Sequence, residues 1–441
     1  MDKKKGNAVR IIQNVLIAVL FASMLVLSSA CFILMTSSAK TAGTDEPFDF
    51  SQIGGHSDAS SVGYGTTVLS PAVIAVSAGD ERYAAYGGDA ADTVYRLAVQ
   101  DVRAVLTSSN AELKAADEAE WASLSDAGRY VYFRFTSAVP IEAMLDYAGA
   151  GEGISEQNGS GCFVSEAFLR YDGGDALLMI RSPYGVYSAN GKVSSVRFDG
   201  AVDAMRASGA VRFDMLADEG RTVLLSDGIL KTPRCSVSIG VSALPGSKQS
   251  REELLTLFGM NPDKVRTNEH TTGVTFVDVS GTIVADTGIA YTAYGSGVPI
   301  GGVSSLTGYL RAADSFISAV SSAIGADLPK TRLDFLSSSD GALTLEYGYC
   351  FDGIPLVGKD GGGLGITMTL SENGIVAFDM DIVSATHSDG QCILPDGRIF
   401  YGAYSAERPD AILPVLVYDG GTAEAYSEWR ALVPYGGGDV R

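Results

Sequence analysis

A chain of 441 residues with 32 basic against 52 acidic side chains has a formal net charge of −20 at neutral pH. Such a surface repels nucleic acid and anionic lipid headgroups, which excludes non-specific binding to either. Hydrophobic residues make up 46% of the chain, enough for real cores, so a disordered stalk is excluded as well.

The N-terminus opens with Lys3, Lys4, Lys5 and Arg10 against a single acid, Asp2. From Ile11 to Met35 the chain carries no charge. A bilayer core needs roughly 20 apolar residues at 1.5 Å rise each, so this run predicts one transmembrane helix. The preceding cations place residues 1–10 in the cytoplasm and everything after residue 35 outside, at a cell membrane crossed once. Two processing readings compete with this anchor: cleavage after Ser37-Ser38-Ala39, and acylation at Cys31. A secretory apolar region of about 7–15 residues is shorter than this one, which favours the anchor over cleavage. Within it, Asn14, Ala18, Ala22 and Ser29 form a stripe of small and polar residues suited to a close contact with a partner helix. An anchor with no such contact is the alternative.

Residues 36–66 are rich in Ser, Gly, Asp and Thr without apolar periodicity, and read as a juxtamembrane linker. A first α+β domain is expected over 67–228. It begins with a β-like run from Thr67 to Val76. A helix follows Asp89, with Val94, Leu97, Ala98, Val102, Val105 and Leu106 on one face. Glu118 to Leu124 forms a short helix carrying Trp121, Tyr130 to Phe135 an aromatic strand, and Pro140 starts a helix over Ile141, Met144 and Leu145. Strands return at Phe163–Arg170 and Ala176–Arg181, and Asn190-Gly191 predicts a type I′ hairpin turn.

A middle α+β domain is expected over 229–302. It combines a strand at Cys235–Val241, a helix at Arg251–Phe258 and short strands at Gly273–Val279, Gly281–Ala285 and Ile289–Tyr294. The third domain, 303–441, opens with a helix from Ser304 to Ile324 whose inner face is Leu306, Leu310, Ala313, Ile317, Val320 and Ile324. A meander follows through Thr331–Leu336, Ala342–Phe351, Gly365–Leu370 and Ile375–Ile382, with Asn373-Gly374 turning the last pair. The chain closes with a hairpin of Ala411–Tyr418 and Tyr426–Val433. The fold class is therefore α+β: a single N-terminal transmembrane helix, then a multi-domain ectodomain of helices packed on antiparallel sheets.

Catalytic signatures are thin. Ile283 to Gly288 places Asp-Thr-Gly after an apolar strand, as aspartic proteases do, but those need two such loops to share a proton. Asp286-Thr287-Gly288 reads equally as a turn. Ser37-Ser38-Ala39-Lys40 sits at the membrane exit, and Lys231-Thr232-Pro233 lacks the glycine of a KTG strand. Gly361-Gly362-Gly363 has no following Lys and Ser/Thr to cradle a phosphate. His56, His270 and His387 are scattered, so no catalytic residue, metal ligand or cofactor-binding residue is assigned. Outside the membrane, Cys162, Cys235, Cys350 and Cys392 read as free or partly buried thiols, with disulfide pairing left open.

Four stretches, in order, carry a resemblance. They are Glu118 to Trp121 with the strand that ends at Leu145; Leu257 to Arg266 with Glu269; Leu345 to Tyr349 with Phe351 to Leu356; and Ile412 to Tyr418 with the terminal strand. In these the chain resembles the YycH and YycI family, membrane-anchored accessory proteins of the WalK/WalR two-component system that senses the cell wall. The high Gly and Ala content and the cysteines set it apart as a distant branch. The resemblance implies a non-enzymatic extracytoplasmic regulator, with a sensor histidine kinase and a YycI-like protein as membrane partners and no nucleic acid. An extracellular module that binds cell wall or another ligand is the alternative, and a surface hydrolase a further one.

Overall fold

The computed structural model describes residues 67–432, apart from 109–111, 125–127, 151–160, 219–220, 241–246, 302, 304, 340, 360–361, 405–408, 410 and 421–422. The expected transmembrane helix and the stripe Asn14, Ala18, Ala22 and Ser29 lie outside the described residues. Among those described, no helix is long and apolar enough to cross a membrane.

Two sheets organise the chain. After β1 (Thr67–Val68), nine strands build the first: β2 (Val73–Ala78), β3 (Glu81–Ala85), β4 (Lys114–Ala116), β5 (Arg129–Pro140), β6 (Phe163–Asp172), β7 (Asp175–Ser182), β8 (Gly185–Lys192), β9 (Val211–Asp218) and β10 (Arg221–Asp227). They run in the order β10-β9-β3-β2-β5-β6-β7-β8-β4, every pair antiparallel. Helices α1 (Gly88–Leu106) and α4 (Ser195–Ser208) cover one face; α2 (Glu118–Ser123) and α3 (Ile141–Tyr147) complete the unit.

Strand alternation gives β5 two different faces. Val131 and Phe133 join α1, where Tyr95 meets Phe133 edge-on at 5.7 Å. Tyr130, Tyr132 and Arg134 point the other way, onto Phe168 and Glu166 of β6 and Trp121 of α2. The hairpin expected at Asn190-Gly191 is not there. Both residues lie inside β8, paired with Leu177 and Ala176 of β7. Gly191 serves close approach instead: a Cβ there would lie 2.6 Å from the Val105 Cα of α1. The turns of this meander are at Gly173-Gly174 and Pro183-Tyr184.

The second sheet has 14 strands. One wing contains β12 (Arg266–Glu269), β13 (Val274–Val277), β14 (Gly281–Ala285), β15 (Gly288–Ala293), β20 (Gly374–Asp381), β19 (Gly365–Ser371), β17 (Ala342–Phe351) and β16 (Lys330–Ser339), with β1 added in parallel to β16. The other contains β18 (Ile354–Gly358), β22 (Ala411–Tyr418), β23 (Glu424–Leu432), β11 (Leu230–Ile239) and β21 (Val383–Leu394). The β19–β20 hairpin forms, with Glu372-Asn373 as its two turn residues and Gly374 already paired with Ser371, one position from the Asn373-Gly374 turn expected; the terminal hairpin forms as the sequence indicates. Because β15 pairs with β20, residues on both sides of position 303 build one sheet.

Helix α5 (Lys248–Leu257) and helix α6 (Leu306–Ile324) pack on each other and on this sheet. Their core is aromatic: Phe258, Phe316 and Phe378 stand 5.2–5.7 Å apart, and Tyr291 lies 4.8 Å from Phe258. Leu310, Ala313, Ile317 and Val320 are buried on the inner face of α6, as its periodicity requires. A last helix, α7 (Gly397–Tyr404), lies between β21 and β22 in sequence. The fold is α+β with antiparallel sheets, β1–β16 and β18–β22 being the parallel pairs.

Candidate functional site

The two sheets meet along a seam. At one end Thr136 donates from its hydroxyl to the Leu333 carbonyl at 3.0 Å, and Arg311 of α6 grips Asp146 of α3 through two nitrogens. At the other end Tyr86 meets the Trp429 ring edge-on at 5.6 Å, and Arg398 binds Asp214 at 3.2 Å and Asp227 at 2.5 Å. Asp396 supports that arginine, whose hydrogen bonds hold its carboxyl below the usual range.

Between these ends the backbones themselves touch. Asp352-Gly353, with φ of 50° and 79°, turn β17 into β18. A Cβ on Gly353 would sit 2.6 Å from the Gly87 Cα, at the start of α1. Only glycine on both sides permits that approach.

Beside this contact lies a cleft of about 450 Å³, bounded on one side by Gly87, Gly88, Asp89 and Asp92 and on the other by Lys330, Arg332, Cys350 and Asp352. Arg332 forms its floor at 4% exposure. Asp334 accepts from its Nε at 3.2 Å, which leaves Nη1 and Nη2 without a hydrogen-bond partner among the described residues. The glycine at 348 makes room for the Asp334 carboxylate, which occupies the space a Cβ would take. Burial pushes the Cys350 thiol up to about 11 against the pull of Arg332, so it is protonated at neutral pH and a poor nucleophile. Burial also raises the Asp92 carboxyl, with Lys330 and Arg96 opposing. Helix α1 points its N-terminus here, and no side chain caps its first turn.

The other strings singled out in the sequence take plainer places. Asp286 is exposed in the β14–β15 turn, where its Oδ1 accepts from the Gly288 N–H at 3.2 Å. Thr232 of the Lys-Thr-Pro string is buried in β11 and shares a hydrogen bond with Ser427 at 2.5 Å. Cys162, Cys235, Cys350 and Cys392 are all free thiols. No group of three or more His, Cys, Asp or Glu among the described residues has the arrangement of a metal site.

Three of the resembling stretches fall on helices and strands, while Leu257 to Arg266 is the turn-rich link between α5 and β12. Glu118 and Trp121 of α2 both hold Arg181: the carboxylate accepts from Nη2 at 2.6 Å, and the ring lies 4.4 Å beneath the guanidinium. Leu345 to Tyr349 lie on β17, directly before the Asp352-Gly353 turn at the cleft. The cleft residues themselves give little signal in sequence. Arg332 and Asp334, opposite charges two apart on β16, are the one trace.

No family model matches this chain, and no curated protein does. Among solved structures the chain is similar to "Crystal Structure of YycH from Bacillus subtilis", with a TM-score of 0.56 at 12% identity, over 83% of this chain and 94% of that one. At that identity the likeness is one of fold.

Proposed function

We propose that this chain is a non-enzymatic regulator, anchored in a cell membrane by residues 11–35 with its folded part outside, that modulates a sensor histidine kinase together with a YycI-like partner. The observation that carries the reading is the YycH fold, shared across 94% of the YycH chain. The four stretches that resemble that family support it. So do the plain roles of the catalytic-looking residues: Asp286 serves a turn, and burial raises the Cys235 and Cys350 thiols to about 11.

The mechanism is a biased equilibrium. A regulator shifts a kinase only by binding one of its states better than the other. The membrane stripe of Asn14, Ala18, Ala22 and Ser29 supplies one contact and the outer domains the rest. Cross-linking of the full chain to the kinase in membranes tests this. Ala18→Leu and Ala22→Leu add bulk at a close crossing and should lower the cross-link. Asn14→Ala should lower it less, since side-chain hydrogen bonds between membrane helices average about 0.6 kcal/mol. Leucines at Ser23 and Cys31 serve as controls on the opposite face. Absence of any cross-link to a sensor kinase overturns the regulator reading. Equal signal from every variant removes the helix contact and leaves regulation to the outer domains. A ligand-binding role is the second reading, favoured by the cleft beside Gly87 and Gly353.

A further inference from the structure

The cleft has a cationic floor and an acidic rim. Arg332 is 4% exposed and lines it, yet Asp334 engages only Nε. Its Nη1 and Nη2 are not among the buried polar atoms sealed away without a partner, so they are open to the cleft. Two parallel N–H donors on a rigid plane match a carboxylate. The uncapped first turn of α1 adds its amide dipoles from the opposite wall. Around the mouth stand Asp89, Asp327 and Asp352, all exposed, with the half-buried Asp92 and the exposed Lys330. His387 lies 3.6 Å from the Asp352 carboxylate.

Each simple occupant fails on one of these features. Inorganic phosphate would suit the floor but enter past four carboxylates, with Lys330 as the rim's lysine. A metal ion or polyamine would suit the rim but meet Arg332 inside. A small molecule with a carboxylate at one end and an ammonium at the other matches both. A volume of about 450 Å³ also falls in the range of ligand pockets, roughly 300–1,000 Å³.

We propose that this cleft binds a small zwitterion, an amino acid or short peptide, with its carboxylate on the Arg332 Nη pair and its ammonium among the rim carboxylates. The inference is independent of the kinase reading, because binding is measured on this chain alone. It also gives the seam a use: one wall is the start of α1, on the first sheet, and the other is β16 and β17 of the second, so an occupant bridges them.

Isothermal titration calorimetry on the full chain in detergent, with alanyl-alanine as the probe, tests it. Wild type should bind the dipeptide. N-acetyl-alanyl-alanine, which lacks the ammonium, and alanyl-alanine amide, which lacks the carboxylate, should each bind at least about tenfold more weakly. Arg332→Gln should lose binding of the free dipeptide. Asp92→Asn should weaken the dipeptide more than the acetylated form. Should Arg332→Gln fail to fold, as its melting curve would reveal, the capped probes on wild type still decide. No uptake by wild type, equal binding of capped and free dipeptides, or displacement of the dipeptide by inorganic phosphate at equal concentration would each overturn the proposal.

Discussion

Both sheets bury aromatic rings, but they differ in the charge they bury beside them. On the face of the nine-stranded sheet turned away from α1, Glu166 is 4% exposed. It accepts from Tyr132 at 2.9 Å and Arg181 at 3.2 Å, with Arg134 at 3.4 Å. On α1 a second buried acid, Asp101, takes Tyr171 at 2.9 Å and Arg197 of α4 at 2.5 Å. Under α5 and α6 the larger sheet is closed instead by the rings of Phe258, Tyr291, Phe316 and Phe378. Buried ion pairs fix geometry but often add little net stability, since desolvation offsets attraction. Interlocked rings contribute directly, beyond the area they bury. The first sheet thus adds directional bonds to its rings, whereas the core under α5 and α6 rests on rings and apolar area.

The largest test brings charge into the aromatic core. Ile317 is fully buried on α6, and Ile317→Asp leaves a carboxylate with no designed partner. The expected loss is on the order of 5 kcal/mol, enough to unfold the larger sheet. Urea denaturation followed by far-UV circular dichroism measures it. Wild-type behaviour would show that α6 does not seal that core.

The second test removes charge from the first sheet. Glu166→Ala removes the acceptor of the Tyr132 hydroxyl and the carboxylate that Arg134 and Arg181 share, and should cost about 3 kcal/mol. Glu166→Gln keeps an acceptor for Tyr132 and should cost less, though Arg134 and Arg181 still lose the Glu166 charge, Arg181 retaining Glu118. If alanine and glutamine are equally mild, the network is solvated and the contrast between the sheets fails. Denaturation midpoints for the pair, at low and high salt, separate these outcomes, because a buried pair is screened far less than an exposed one.

How much of this the sequence announced depends on the kind of interaction. Helix α6 was legible because Leu310, Ala313, Ile317 and Val320 repeat at helical spacing beneath a long apolar stripe. Helix α4 was not: its buried side chains, Phe198, Ala201, Val202 and Met205, are few and partly small, and its polar face dominates. Asn190-Gly191 misled because the dipeptide has turn chemistry, while Gly191 is in a strand for the sake of Val105. The cleft was hidden for a further reason. Arg332 gains meaning only when the tip of the β17–β18 hairpin meets Gly87, a contact between residues far apart in the chain. Periodicity reports on faces within one element and is silent about seams between sheets.

The smallest expected effect comes from an exposed charge. Asp286 sits at the β14–β15 turn of the larger sheet, with its backbone N–H donating to the Gly288 carbonyl at 3.0 Å and its Oδ1 accepting from the Gly288 N–H. Asparagine offers the same side-chain oxygen to the same turn. Replacing the carboxylate also removes a repulsion, because Asp286 is one of the groups that raise the Asp379 carboxyl, after burial and Asp381. The turn contact is kept and the relieved repulsion is small at an exposed position, so Asp286→Asn should shift stability by no more than about 0.5 kcal/mol. On the regulator reading proposed above, kinase control should be unchanged. A peptidase activity present in wild type and lost in this variant would make Asp286 a catalytic acid, against the regulator reading. A stability loss comparable to that of Glu166→Ala, without any activity, would break the comparison itself: a charge at a solvated turn would then matter as much as one buried between two arginines.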